Sequence, residues 1–129
     1  MTTLLSMIND DAKKILIIDD EVDILNVVEL ILKSNGYEVF THPNGLHVTE
    51  IVKRHNPDLI LLDVQLSGLS GTHICRELKK TTNIPVVLFS AHADLKKTYH
   101  ECNADAFISK PFDIPDLLNV ISERLNKRA

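Results

Sequence analysis

The feature that most constrains this chain is a set of short, unbroken aliphatic runs separated by longer stretches of helical period. Residues 14–19 read Lys-Ile-Leu-Ile-Ile-Asp, residues 58–63 Asp-Leu-Ile-Leu-Leu-Asp, and residues 84–89 Ile-Pro-Val-Val-Leu-Phe. Successive strand residues point to opposite sides, so a run with no polar interruption suits a strand buried on both faces. Weaker strand candidates cover 37–41 and 104–109. Helical period runs over 21–34, 44–55, 70–80, 93–101 and 113–127. In the last of these, Ile114, Leu117, Leu118, Ile121 and Leu125 share one face. Asp113 stands where an N-cap is wanted, and Lys127-Arg128 suits a helix C-terminus. Asn35-Gly36, Asn44-Gly45, Asn56-Pro57 and Ser67-Gly68 supply the turns. Strict alternation of this kind predicts a parallel sheet with helices on both faces. In such sheets the functional crevice lies beyond the carboxyl ends of the strands.

Composition narrows the class of partner. The 129 residues suit one domain with a single core, and 14 Lys+Arg against 18 Asp+Glu give a net charge of −4. A mild acidic surplus argues against a nucleic-acid grip, which needs a basic face. Cys75 and Cys102 have neither the number nor the spacing for a disulfide framework or a zinc site. The apolar runs are far shorter than the roughly 20 residues that span a bilayer, and the N-terminus lacks the basic n-region of a secretory signal. A soluble, cytoplasmic protein is expected, with residues 1–12 as a loosely held extension ahead of the domain at 13–129.

The chemistry is expected at the strand ends. The first strand ends in Asp19-Asp20, with Glu21 following, the third in Asp63, the fourth in Ser90 and the fifth in Lys110. In a parallel sheet these converge on one edge. Carboxylates held together repel and raise one another's pKa unless a cation neutralises them. Lys110 supplies one positive charge. A donor set of oxygens alone selects Mg²⁺ or Mn²⁺ rather than zinc for the rest. Such a site, with a hydroxyl and an ammonium beside it, suits a phosphoryl group. Asp63 is the best acceptor, because it stands alone on a central strand while Asp19 and Asp20 form a pair suited to metal.

These motifs resemble the receiver domain of two-component response regulators, of the CheY-like kind, over about residues 13–127. The matching segments are Ile17-Ile18-Asp19-Asp20-Glu21, Leu61-Leu62-Asp63-Val64, Gly71, Phe89-Ser90-Ala91 and the stretch from Ala104 to Phe112. The resemblance implies a flavodoxin-like, doubly wound α/β fold with a five-stranded parallel sheet in order 2-1-3-4-5 and five helices. It implies that Asp63 is phosphorylated by a phosphohistidine on a histidine kinase or histidine phosphotransfer protein. Mg²⁺ would be bound by Asp20, Asp63 and the backbone carbonyl of Gln65, with Asp19 acting through water. Ser90 and Lys110 would contact the phosphoryl group, Phe107 would be the rotameric switch, and the Lys110-Pro111 peptide would be cis. The chain departs from the commonest pattern at Leu66-Ser67 after the acceptor and at Phe107, where Tyr is frequent.

Taken singly, an Asp pair is an ordinary turn, Lys110 a surface lysine and Ser90 a cap; only their joint order reverses that reading. The six histidines show no metal-ligand spacing. His92, two residues after Ser90, together with Gln65 is expected to tune water access to the acyl phosphate. Helix 21–34 carries Val27 and Leu30 beside its core stripe, a docking patch for the phosphodonor in the sharper reading and scattered surface aliphatics in the plainer one. The expected function is a phosphorylation-activated switch rather than an enzyme, either a single-domain regulator or a receiver unit of a larger protein. The alternative is a phosphorylation-independent pseudo-receiver that binds a protein partner. A haloacid-dehalogenase-like phosphatase would want a second Asp two residues after the nucleophile, where this chain has Gln65.

Overall fold

The computed structural model describes residues 12–66, 69–91 and 94–128. Five β/α units follow in order. They are β1 (Lys14–Ile18) and α1 (Val22–Ser34), β2 (Glu38–His42) and α2 (Val48–His55), then β3 (Leu59–Leu62) and α3 (Gly71–Thr81). β4 (Val86–Ser90) and α4 (Leu95–Cys102) come next, and β5 (Ala106–Ser109) and α5 (Ile114–Arg128) close the domain. The strands form one parallel sheet in the order β2-β1-β3-β4-β5. The winding reverses between β1 and β3, which lie side by side with Ile18 paired to Leu62. A crevice therefore opens at their carboxyl ends, where connections leave in opposite directions.

Alternation along each strand builds the two layers. Leu16, Ile18, Ile60, Leu62, Val86 and Leu88 face α2, α3 and α4, whereas Ile15, Ile17, Leu59, Leu61, Val87 and Phe89 face α1 and α5. Full burial of each such side chain contributes about 1.5–3 kcal/mol. On α1, Leu25, Val28 and Leu32 are buried against the sheet while Val27 and Leu30 stay in solvent. Helix α1 ends in a left-handed Gly36 (φ 90°), with the Tyr37 N–H donating to the Leu32 carbonyl and that of Gly36 to the Lys33 carbonyl. That pair of bonds satisfies the last carbonyls of the helix and requires a residue that tolerates positive φ.

Several element bounds shift by one or two residues from the expectation, and three local differences go beyond that or have a visible cause. Helix α2 starts at Val48 rather than 44, because the His42 imidazole bonds the Leu46 carbonyl (2.7 Å) and the Leu46 N–H donates to Asn44 Oδ1 (2.9 Å). These bonds hold residues 44–46 in a turn. Strand β4 starts at Val86 rather than Ile84, since Pro85 has no N–H for the ladder. A short antiparallel ribbon, Gln65–Leu66 against Leu69–Ser70, stands between β3 and α3, where only a turn was expected. Residues 1–11, with most of the expected extension, lie outside the described residues.

Candidate functional site

The end of β1 delivers Asp19 and Asp20 to the crevice, and the end of β3 delivers Asp63. Backbone bonds extend the sheet into the site: the Asp19 N–H donates to the His42 carbonyl and the Asp63 N–H to the Ile18 carbonyl. Asp19 and Asp63 are buried and Asp20 half-buried, with one oxygen of each lying within 4.8 Å of the others. Among the described residues this is the one group of three or more potential metal-ligating side chains so placed.

Lys110 enters from the end of β5, and its backbone N–H donates to the Ser90 carbonyl at 2.9 Å, which fixes the two strand ends together. Its ammonium bridges the carboxylates, at 2.7 Å from Asp19 Oδ2 and 3.2 Å from Asp63 Oδ2. Glu21 Oε1 lies farther off at 3.8 Å, and the Phe89 ring supports the ammonium from 4.7 Å. The other oxygen of each buried carboxylate is held by backbone. Asp19 Oδ1 accepts from the Glu21 N–H (2.9 Å) and Asp63 Oδ1 from the Gln65 N–H (2.8 Å). Hydrogen bonds to ionised groups are short and strong, so both carboxylates are fixed in orientation.

The electrostatics are unbalanced. Burial, the largest influence on Asp19, pushes its carboxyl above the ordinary carboxylate range. The Lys110 ammonium and the Glu21 N–H oppose that rise, and the nearby Asp63 charge adds to it. Burial works against the charge on Lys110, yet the bond to Asp19 and the charges of Asp63 and Asp19 outweigh it and hold its pKa above the usual lysine value. One ammonium thus faces three carboxylates. An all-oxygen donor set of three carboxylates beside one ammonium fits a hard divalent cation.

Ser90, the last residue of β4, is buried, and its Oγ donates to Gln65 Oε1 at 3.3 Å. Gly71 stands where α3 presses on the loop after Asp63; a Cβ there would sit 2.8 Å from the Val64 carbonyl oxygen, inside van der Waals contact. The Ser70 hydroxyl caps the same helix by accepting from the His73 N–H.

The structure therefore brings together Asp19, Asp20, Asp63, Gln65, Ser90 and Lys110. Phe107 lies apart on β5, half-buried, with its ring 5.1 Å from that of Tyr99 on α4. His92 lies outside the described residues. The Lys110-Pro111 peptide is cis. Beside the site runs a mainly apolar groove of about 530 Å³, lined by Ile24, Val27 and Ile31 of α1 and by Lys110, Phe112 and Ile114. Leu30 is exposed but does not line it. Phe112 and Ile114 were missed as part of this surface; the apolar Phe112 directly after Pro111 was the available signal.

The family model of the response regulator receiver domain matches residues 15–122. Among solved structures, the chain is similar to a CheY-like response regulator receiver domain protein from Methanospirillum hungatei, at 29% identity and a TM-score of 0.85, covering 91% of this chain and 96% of that one. It is similar to the receiver domain of NtrX from Brucella abortus at 33% identity and a TM-score of 0.80, covering 87% of this chain and 98% of that one. The longer NtrX structure with ATP matches at 33% identity and a TM-score of 0.82 over 90% of this chain but 27% of its own, so in that protein the unit is part of a larger whole.

Proposed function

The chain belongs to the response regulator receiver domain family, and from that premise we propose that it is a switch set by phosphorylation of Asp63. The observation that carries this reading is a buried carboxylate at the end of a central strand, bridged to Asp19 by the Lys110 ammonium, with the Asp20 carboxylate alongside. A phosphohistidine partner presents its phosphorus to a carboxylate oxygen of Asp63. The new O–P bond forms as the P–N bond breaks, and the leaving imidazole nitrogen keeps the electron pair. Lys110 Nζ, already at Asp63 Oδ2, lies where it can pair with the charge of the transferred group, and the Ser90 hydroxyl supplies a further donor.

Asp20, Asp63 and the Gln65 carbonyl would hold Mg²⁺, with Asp19 acting through water. Bound there, the ion supplies the charge neutralisation that three carboxylates and an incoming phosphoryl group require. Lys110, bonded to both Asp63 and Asp19, holds the acceptor in place. Phosphorylation draws Ser90 toward the new dianion, and Phe107, on the neighbouring strand, takes up the vacated space. The α4–β5–α5 face is thereby biased between two states.

The phosphodonor is a histidine kinase or a histidine phosphotransfer protein, and the groove between α1 and the segment after Lys110 suits its helical surface. The groove reaches Lys110, so a partner seated on Val27 would have its histidine beside Asp63. The phosphorylation-independent alternative is disfavoured by the acidic residues and the lysine all being present, with Lys110 bonded to Asp19 and Asp63 and Asp20 in the same cluster. Incubation with acetyl phosphate and Mg²⁺ tests the reading. A hydroxylamine-labile phosphoryl group should appear on wild type and be absent from Asp63→Asn; equal labelling of the variant would refute it.

A further inference from the structure

Gln65 touches the site twice. Its backbone N–H donates to Asp63 Oδ1 at 2.8 Å, and its side-chain oxygen accepts the Ser90 hydroxyl at 3.3 Å. The residue is not free to drift, because it opens the short ribbon and pairs with Ser70. Ser90 is 1% exposed, so its hydroxyl orientation is set by protein groups rather than by bulk water. A serine hydroxyl has a single proton to donate. Directed at Gln65 Oε1, that proton is not available to an oxygen of a group carried on Asp63.

Resting on the phosphoacceptor reading above, we propose that the Gln65 side chain is a latch on the switch residue, holding the Ser90 hydroxyl in its resting orientation until a phosphoryl group competes for it. Gln65 is then a positioning residue. It acts through Ser90, and its side chain need not touch the transferred group. The latch penalises the active arrangement by one long hydrogen bond to an exposed acceptor, at the weak end of the usual range, which corresponds to about a two-fold population ratio. A resting bias of that size lowers the apparent affinity for any ligand of the active state by the same factor.

The test is a double-mutant cycle read by beryllofluoride binding and by amide chemical shifts of the Mg²⁺ form without beryllofluoride. Gln65→Leu removes the acceptor at an exposed position. It should tighten beryllofluoride binding about two-fold and move the Ser90 and Ala91 amide shifts along the line joining the free and bound wild-type positions. Gln65→Met, of similar length, provides a second route to the same result. In a Ser90→Ala background the Gln65 substitutions should change neither quantity, because no hydroxyl remains to be held. A Gln65 effect that persists undiminished in Ser90→Ala, or its absence in the wild-type background, overturns the latch. Failure of wild type to bind beryllofluoride at all would overturn the phosphoacceptor reading and the latch with it, so the two failures are distinguishable.

Discussion

The two ends of the sheet each carry a lysine–aspartate contact, partly buried at one end and almost wholly buried at the other, and they are built to different rules. At the amino end, Lys79 meets Asp105 Oδ2 at 2.7 Å, the same oxygen accepts the Val86 N–H at 2.8 Å, and Lys79 lies 3.4 Å from the Ile84 carbonyl. One cation faces one anion, and backbone groups complete the set. Nearby, Asp58 accepts the Lys14 N–H at 2.8 Å, again fixing a strand start with a carboxylate. At the carboxyl end, Lys110 faces Asp19 and Asp63 together, with Asp20 in the same cluster. The first arrangement is electrostatically closed and ties strands to helices. The second keeps a negative excess in a buried place, which is costly unless a further cation or a reacting group makes use of it.

That contrast can be broken by substitution. The largest expected effect is chemical: Asp63→Asn abolishes phosphorylation, whereas Asp105→Asn leaves its rate unchanged, as intact-protein mass after acetyl phosphate treatment would show. Next comes the ion. Mg²⁺ at 100 times its dissociation constant should stabilise wild type by about 2.7 kcal/mol in urea unfolding. The increment should vanish in Asp20→Asn and persist in Asp105→Asn. Asp105→Ala should cost about 1–3 kcal/mol of stability with or without Mg²⁺, since it strands the Val86 N–H and the Lys79 ammonium. A Mg²⁺-dependent cost there would erase the distinction between the two ends.

Smaller effects sharpen the comparison at the carboxyl end. Val27→Ala with Leu30→Ala should slow transfer from a phosphohistidine partner by about ten-fold. Most of that should come from Val27, which lines the groove, and reaction with acetyl phosphate should be unaffected. The pH dependence has a defined sign. Asp19 in the ion-free protein holds its proton to higher pH than an ordinary carboxyl with value 3.8. The folded state therefore binds more protons than the unfolded one in that window, and this group's contribution to stability is lost as pH rises through its folded value. Mg²⁺ competes with the same proton, so a Mg²⁺ titration followed by amide shifts should show affinity falling, on acidification, at a higher pH than an ordinary carboxyl would give.

How much of this was legible in the sequence follows from which interactions are local. β1, β3 and β4 were plain because strands covered on both faces carry unbroken aliphatic runs, while β2 and β5, at the edges, gave weaker patterns. The site could be assembled from strand ends because a parallel sheet places them on one edge whatever the details of packing. The ribbon at 65–70 was invisible, since two-residue strands carry no periodicity. The Gln65–Ser90 bond and the Phe112–Val27 groove were equally hidden. They join residues 25 and 85 positions apart through side-chain directions that no sequence pattern encodes.

The proposal that Asp63 carries a phosphoryl group rests on its buried carboxylate bridged to Asp19 by Lys110. Intact-mass measurement of wild type with acetyl phosphate, in Mg²⁺ and in EDTA, tests it most directly. Addition of one phosphoryl mass in Mg²⁺, lost in EDTA and in Asp63→Asn, is the result predicted. An unmodified wild type, or modification indifferent to both the ion and Asp63, would contradict it.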